Sequence, residues 1–485
     1  MGVSQQFIGV NSSNYGGIHS VLLNPANTAD SRYKVYFNLS GFDVTTLNSS
    51  MKWAAPFSLL ALFTGTVPSK YNGPKGKPLW LPEYYSFNAS RLLDLRLNTD
   101  YRGPAFQLSF PRKKFGIAGG VRLRLFNSFL DATPGLAAAV FTGTNNDLLK
   151  GYPFSGEKGL LNMGVYNEMY GSLGIVLKED NRHFFKIGGT IKRVTSGTQL
   201  SVFADNLNYQ IDDVSPFTTT QNITVHSATG SFFHASESEE GFGSSWLINQ
   251  MTSFRNVGNG FGADIGIIYE RRPYYATQKY RYKGDVIPDP EINKHEFRIG
   301  VSLVDIGYVR FSSPTAVQVG AINDATAFIP PATFYHINST KMFVGDMEEV
   351  FPFDPSTYGN SFHILMPATL HLHGEYRIRE GFYLSGSLRQ FLFKRNRVGP
   401  VGYSGISFIP RFEKKHLEYS FPVSVDFNYR VVAIGGSLRV GPLWVGSDNL
   451  TGLLGIGKPR GAAIHAALFV GLDHKRPKNK LIVCP

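Results

Sequence analysis

Cysteine is nearly absent: the 485 residues hold one, Cys484, beside the C-terminus. That excludes an internal disulfide, a multi-cysteine zinc site and an all-cysteine iron–sulfur cluster. Charged residues are sparse, at 17%. No uninterrupted apolar run approaches the ~18 residues a spanning helix needs. The longest, Trp53 to Phe63, is short and contains Pro56. With a slightly negative mean hydropathy, a helical membrane protein is excluded. A signal peptide is missing too, since Met1 to Gln6 lacks the basic and apolar regions of one; the expectation is that it has been removed from this numbering. Glycine, in contrast, is abundant at 51 residues, and so are aromatics, with 38 Phe, 24 Tyr and 4 Trp. So many large apolar side chains exclude disorder. A membrane β-barrel stays open, because its strands alternate and average out in a hydropathy sum. Sequons at Asn88, Asn222 and Asn338 read as by-products of Asn/Ser-rich loops, since a large ectodomain usually carries disulfides.

Period-two alternation is the informative signal. Leu370, Leu372, Gly374, Tyr376 and Ile378 alternate with His371, His373, Glu375, Arg377 and Arg379. Val121, Leu123 and Leu125 alternate with Arg122 and Arg124, and Phe261, Ala263, Ile265, Ile267 and Tyr269 share one face. One face is greasy and the other mixes Arg, His, Glu, Asp, Ser and Gly, as a barrel with a wet lumen requires. Fourteen strands are expected, at 33–44, 104–110, 115–127, 169–178, 184–194, 260–270, 295–305, 368–378, 382–393, 403–412, 417–428, 431–440, 442–448 and 462–472. Residues 200–211 and 222–233 are expected as a hairpin projecting from a long loop. Short polar connections such as Arg112-Lys113-Lys114 and Glu413-Lys414-Lys415 alternate with long ones at about 45–103, 128–168, 195–259 and 312–367. Turns on one side and loops on the other is the outer-membrane pattern. The expected fold class is therefore all-β, a transmembrane antiparallel β-barrel, in the bacterial outer membrane. Residues 31–473 form the barrel and its extracellular loops, and 474–485 a basic periplasmic tail.

Residues 1–30 read as irregular chain, with Asn24-Pro25-Ala26 near its end. Proline fixes its own φ and keeps Asn24 out of helix, so Asn24 bonds local backbone. This segment, Tyr15-Gly16-Gly17-Ile18, Ala29-Asp30, Gly103-Pro104-Ala105-Phe106, and Gly441-Pro442 leading to Gly446-Ser447-Asp448-Asn449 together resemble the FadL-like outer-membrane barrels, the long-chain fatty-acid transporter superfamily. The pattern is most similar to a Bacteroidota branch, in Gram-negative cells. The resemblance implies an N-terminal plug containing Asn24, Pro25 and Ala26. It supports fold more than activity, since some members move hydrophobic compounds and others are accessory parts of secretion machines.

The candidate chemistry is modest. His371, His373 and Glu375 share a strand face, which is plausible ligand geometry. Arg377 and Arg379 alongside oppose a cation, so no metal is expected. Arg122, Arg124, Lys186, Lys192, Arg377, Arg389, Arg430 and Arg439 fall on polar faces. They suit either an anionic ligand or, the simpler reading, a lumen salt-bridge network with Glu375, Asp264, Glu270 and Asp426. Net charge is +12, compatible with anionic lipid headgroups. Without a compact Lys/Arg run interleaved with aromatics, nucleic acid is not an expected partner. No Gly-x-Ser-x-Gly elbow, His-Glu-x-x-His or Walker loop is present. Gly258-Asn259-Gly260 leads into a strand, so no helix terminus awaits a dinucleotide. No catalytic residue and no cofactor are expected. Trp53, Phe57, Leu60 and Phe63 form an apolar loop patch, either packed under the loops as a short helix after Pro56 or exposed as a partner surface or a greasy ligand entrance.

The expected function is passive uptake or diffusion of small hydrophobic molecules. The alternative is a non-catalytic accessory subunit of an outer-membrane secretion or assembly complex. The first requires an apolar pocket beneath the first and third long loops, with a lateral or plug-side opening. The second requires a sealed lumen and an apolar loop patch covered by another protein. The expected partners are outer-membrane lipids, with a hydrophobic ligand or a protein complex according to the reading.

Overall fold

The computed structural model describes residues 7–73, 78, 84–86, 91–144, 146–180, 182–212, 221–236, 256–273, 278–282, 285–289, 292–330, 333, 337–428 and 430–474. Apart from His474, the expected basic tail lies outside them, as does the sequon at Asn88. In chain order the strands of the main sheet are β1 (Tyr33–Asn48), β2 (Leu93–Phe110), β3 (Phe115–Ala132), β4 (Pro153–Glu179), β5 (His183–Ile211), β6 (Ile223–Ser236), β7 (Gly258–Arg271), β8 (Phe297–Ser312), β9 (Val317–Ile329), β10 (Ser361–Leu365), β11 (Thr369–Arg379), β12 (Phe382–Phe391), β13 (Gly405–Glu413), β14 (Leu417–Ser420), β15 (Val423–Asp426), β16 (Val431–Ile434), β17 (Gly436–Val440), β18 (Leu443–Ser447) and β19 (Gly461–Asp473). All but β6 and β9 build a closed antiparallel barrel of 14 staves. Three staves are broken in two, β10–β11, β14–β15 and β16–β17. The breaks fall at Pro367, Pro422 and Gly435, residues that withhold a ladder donor or a side chain to pack. Closure runs through β1, which pairs with β2 (Val35↔Leu108) and with β19 (Val44↔Ile464). An even stave count returns the chain to its starting end, and Tyr33 faces Asp473 there.

The two faces of the wall invert the soluble pattern. Ile191, Ile265 and Val432 are 76%, 56% and 63% exposed on the outside, while Asp100, Arg122, Glu168, Lys192 and Asp264 are buried inside. An apolar belt around a polar interior is the signature of a membrane barrel. Aromatic pairs sit beside the short turns, with Phe110 stacked on Phe115 at 4.9 Å and Phe412 on Tyr419 at 5.0 Å.

All fourteen expected barrel strands are present. Several are longer than the alternation suggested, notably β2, β4 and β5. In β2 the added half carries Asp94, Arg96, Asn98, Asp100 and Arg102, all buried, alternating with Leu93, Leu95, Leu97 and Tyr101, so the long connection expected at 45–103 ends before Leu93. The hairpin expected at 200–211 and 222–233 is the upper half of β5 paired with β6 (Val202↔Phe232). The region expected as one long loop, 312–367, contains β9, which pairs with β6 (Gly320↔Phe232). A register shift between Ile322 and Ala325, with Asp324 at φ 49°, breaks the period-two reading there. β9, β6 and the upper halves of β4 and β5 thus stand past the wall as a platform. Helix Thr340–Val350 packs on it through Val344 against Leu200 and Phe232.

Candidate functional site: plug, charged lumen and low wall

The N-terminal segment lies inside the barrel. It carries α1 (Ile8–Asn11), α2 (Ile18–Leu23) and a 3-10 turn at Pro25–Thr28. Asn24 is extended, at φ −148°, which the following proline favours. Its Oδ1 accepts from the Ala26 amide at 3.0 Å and caps the turn. Its Nδ2 donates to the carbonyls of Ile267 on β7 and Val301 on β8, both at 3.1 Å. One side chain therefore shapes the plug and holds it to the wall.

Pro25 and Ala26 lie flat because the wall beneath them has no side chains. Gly116, Gly174, Gly188 and Gly266 stand side by side in register on β3, β4, β5 and β7. A Cβ on Gly266 would lie 2.1 Å from Asn24 Oδ1, on Gly188 2.3 Å from the Pro25 carbonyl carbon, and on Gly116 2.1 Å from Thr28 O. Serines bound this cradle. Ser302, opposite Gly266, donates to Leu23 O at 2.7 Å, and Ser109, opposite Gly116, accepts from the Ser31 amide at 3.2 Å. Below the cradle Asp30 meets Arg272 at 2.6 Å. Burial raises the Asp30 carboxyl, but Arg272, Lys294 and Lys186 together hold it well below the usual range.

Two ion-pair layers fill the lumen around the plug. In the first, Arg122 grips Asp100 at 2.6 and 2.8 Å, Arg124 reaches Glu168 at 3.0 Å and Asp305 at 2.9 Å, and Lys192 bridges Asp264 and Asp305 at 2.7 Å each. In the second, Glu375 meets Arg411 at 2.5 Å and His295 at 2.6 Å, and Arg411 reaches Glu413 and Glu418 at 3.2 and 3.4 Å. The layers touch the plug, through Arg298 to Asn14 at 2.9 Å, Arg411 to Ser12 O at 2.6 Å and Ser13 to Glu418 at 2.7 Å. Arg122 and Arg124 thus share one layer, and Glu375 belongs to the other. Arg377 lies apart at the turn end, bonded to Asn293 O at 2.7 Å. His371 and His373 are on the inner face near Glu375, and both His371 ring nitrogens lack a hydrogen-bond partner. Arg430 is not on the lumen face; it sits exposed immediately before β16. Asp100, Glu168 and Asp305 are further network members; the strands expected at 104–110, 169–178 and 295–305 begin after the first two and end at the third, whereas β2, β4 and β8 run past them.

The apolar loop stretch folds on itself. Trp53 and Phe57 are buried against Val67 and Tyr84, and the Trp53 indole donates to Phe57 O at 2.9 Å. Helix α3 (Leu59–Thr64) follows Pro56, capped by Ser58, with Leu60 half-buried. Phe63 falls in α3, and its side chain is outside the described residues.

The wall is not equally tall all round. β18 has 5 residues, which rise roughly 17 Å along the strand and about 13 Å along the barrel axis after a ~40° tilt, against an apolar band about 25 Å tall. Above it β19 keeps its ladder to β1, and β16 its ladder to β15, but among the described residues no ladder joins β16 to β19. Residues 447–460, with the short helix Leu450–Leu453, stand in the gap. The Gly446-Ser447-Asp448-Asn449 turn satisfies the open edge of β19: Ser447 Oγ donates to Ala463 O at 2.6 Å and Asn449 Nδ2 to Gly461 O at 2.9 Å. Leu454 and Ile456 face outward, 44% and 60% exposed. Behind the gap lies a cavity of about 70 Å³, lined on its apolar side by Val425, Val431, Ala433, Ala463 and, from the plug, Ile8, and on its polar side by Arg96, Arg389 and Asp426. The Ile8 amide donates to both carboxylate oxygens of Asp448 at 3.1 Å. A wider polar cleft of about 930 Å³ opens at the turn end between Tyr15, Arg377, Arg379 and Lys414.

The chain belongs to the Family of unknown function (DUF5723), which it matches over residues 25–448. No curated protein matches it in sequence. Solved structures align over nearly the whole chain at low scores. The toluene transporter TodX of P. putida has 9% identity and TM-score 0.40 over 95% of both chains. The toluene transporter TbuX of Ralstonia pickettii has 9% identity and TM-score 0.37, again over 95% of both. A FadL homologue of Pseudomonas aeruginosa has 11% identity and TM-score 0.28, over 93% of this chain and 91% of that one. These scores are too low to transfer anything residue by residue.

Proposed function

We propose that this protein sits in a bacterial outer membrane and gives small hydrophobic molecules a passive path through the low wall at β18, with no catalysis. The observation that carries this reading is that no ladder joins β16 to β19 among the described residues, beside the exposed Val432 and Ile434, with a cavity behind that reaches the plug. An apolar molecule dissolved in the outer leaflet meets Leu454 and Ile456 first, then Val431 and Ala463. It gives up little hydrophobic free energy on the way. The lumen below is closed by ion pairs, so an open water-filled pore is not part of the proposal. At about 70 Å³ the cavity is smaller than the ~150 Å³ site known to take benzene. Entry therefore needs residues 447–460 or the plug to give way.

The test is influx of a small uncharged aromatic fluorophore into vesicles carrying the barrel. Ala463→Phe fills the cavity. It is expected to bring influx down to that of empty vesicles, while the barrel still shows heat-modifiable gel migration. Unchanged influx in a folded Ala463→Phe barrel refutes the route. The second reading, an accessory subunit of an assembly, is favoured by the platform of β4, β5, β6 and β9. Native mass spectrometry after mild extraction decides for it if it shows a stoichiometric partner protein and no small-molecule adduct.

A further inference from the structure

Asp43 on β1, Asp448 in the turn after β18 and His465 on β19 bring their donor atoms within 4.8 Å of one another. All three are buried. His465 Nδ1 is 3.8 Å from Asp43 Oδ2 and 3.9 Å from Asp448 Oδ1, too far for hydrogen bonds. Asp43 Oδ2 and His465 Nδ1 have no hydrogen-bond partner, although each points into the same small space. Buried polar atoms are normally satisfied, so such a pair calls for a missing group.

We propose that Asp43, Asp448 and His465 hold a divalent transition cation, zinc by donor type. An imidazole with two carboxylates suits zinc, whereas calcium takes six or more oxygens. A cation in the plane of these donors lies roughly 2.2–2.5 Å from each, against about 2.0–2.2 Å in zinc sites. A contraction of a few tenths of an ångström closes the site.

The surroundings are built for it. His465 Nε2 is 3.0 Å from Ser437 Oγ; donation from Nε2–H to that oxygen leaves the Nδ1 lone pair facing the carboxylates. Thr45 donates to Asp43 Oδ1 at 2.9 Å and orients the other oxygen toward His465. Gly446 makes room for the ring, since a Cβ there would lie 2.6 Å from His465 Nε2. Phe7 packs on the imidazole at 5.0 Å and covers one face. Arg102, stacked over the Phe7 ring at 4.1 Å, is engaged by Asp100 at 3.1 Å and His19 at 2.8 Å. The cation would join the closing seam of the barrel to the turn that ends its shortest stave, and through Asp448 to the plug. The site stands whether or not anything passes the low wall.

The test is metal analysis of the tag-free barrel, extracted without chelator. Stoichiometric zinc is expected, removable by EDTA and restored by titration with zinc chloride. Asp43→Asn and His465→Gln barrels that keep heat-modifiable migration are expected to bind none. Ser437→Ala, a positioning variant, is expected to weaken binding by roughly ten- to a hundredfold. The proposal is overturned if the native barrel holds no metal and the EDTA-treated barrel takes up no zinc. It is equally overturned if calcium binds in place of zinc, or if the folded Asp43→Asn and His465→Gln barrels bind zinc as tightly as the wild type.

Discussion

Placing one methyl group on Gly188 tests whether the glycine cradle is what seats the plug. In Gly188→Ala the new Cβ would lie 2.3 Å from the Pro25 carbonyl carbon, 2.4 Å from Pro25 O and 2.5 Å from the Ala26 nitrogen. All three are backbone atoms, so no side chain can rotate away. Restoring contact to 3.4 Å moves the turn off the wall by about 1.1 Å. The two Asn24 Nδ2 bonds, both at 3.1 Å, then exceed hydrogen-bond reach. Losing them costs about 0.5–1.5 kcal/mol each, and incomplete relief of the overlap adds about 1–3 kcal/mol. Allowing for partial relaxation, plug docking weakens by about 2–4 kcal/mol, or roughly 30- to 1,000-fold in the docked-to-released ratio. Hydrogen exchange of peptides covering 24–29 reads this directly, because the Ala26 amide is protected by Asn24. Gly171→Ala is the control, since a Cβ there meets nothing within 4 Å. Unchanged protection in Gly188→Ala, or equal loss in Gly171→Ala, refutes the cradle.

Asn24→Asp keeps the capping acceptor but points a carboxylate at the carbonyls of Ile267 and Val301, so it is expected to loosen the plug more than Asn24→Ala. The reverse order in the same exchange assay would mean that the wall bonds matter less than the cap. Arg411→Leu removes the buried cation that Glu375, Glu413 and Glu418 share. It is expected to cost about 3–5 kcal/mol, read as a lower temperature for the heat-modifiable gel shift, with Arg411→Lys falling between. Burial pulls the Lys294 ammonium down from 10.5 to about 8, with Asp30 opposing and Arg272 and Arg32 adding to the fall. Between those values the unfolded chain binds a proton that the folded one lacks, so stability rises with pH through that window. The gain in melting temperature from pH 8 to pH 10 is expected to shrink in Lys294→Met; an identical slope refutes the assignment.

The barrel was legible because a greasy face needs no partner to be recognised. Leu372, Tyr376 and Ile378 read as outward from their own strand, and they are exposed. The inner face was legible as polar but not as a set of pairs. Arg124 meets Asp305, 181 residues away, and no local pattern announces that. The cradle shows the limit most clearly. Gly116, Gly174, Gly188 and Gly266 are ordinary glycines until the ladder registers align them, and register is set by strand pairing that the sequence does not print. The same holds for the low wall. Residues 442–448 read as a strand of normal kind, and only the missing ladder above Ser447 makes its length matter.

Holding the plug and lowering the wall are linked through one turn. Gly446 gives His465 its space, Ser447 and Asn449 replace the absent ladder to β19, and Asp448 takes the Ile8 amide. The far end of the plug is held differently, by Asn24 and a row of backbone contacts on four strands. Residues 7–12 depend on Asp448, the Arg411 contact to Ser12 O and the packing of Phe7 between His19 and His465. The two ends are therefore held by different means, by wall side chains at the end that lines the cavity behind the low wall and by close backbone contact at the other. On the route proposed above, a guest that displaces Ile8 reaches the lumen side of the wall while Pro25 stays on the glycines and the ion-pair layers keep their partners.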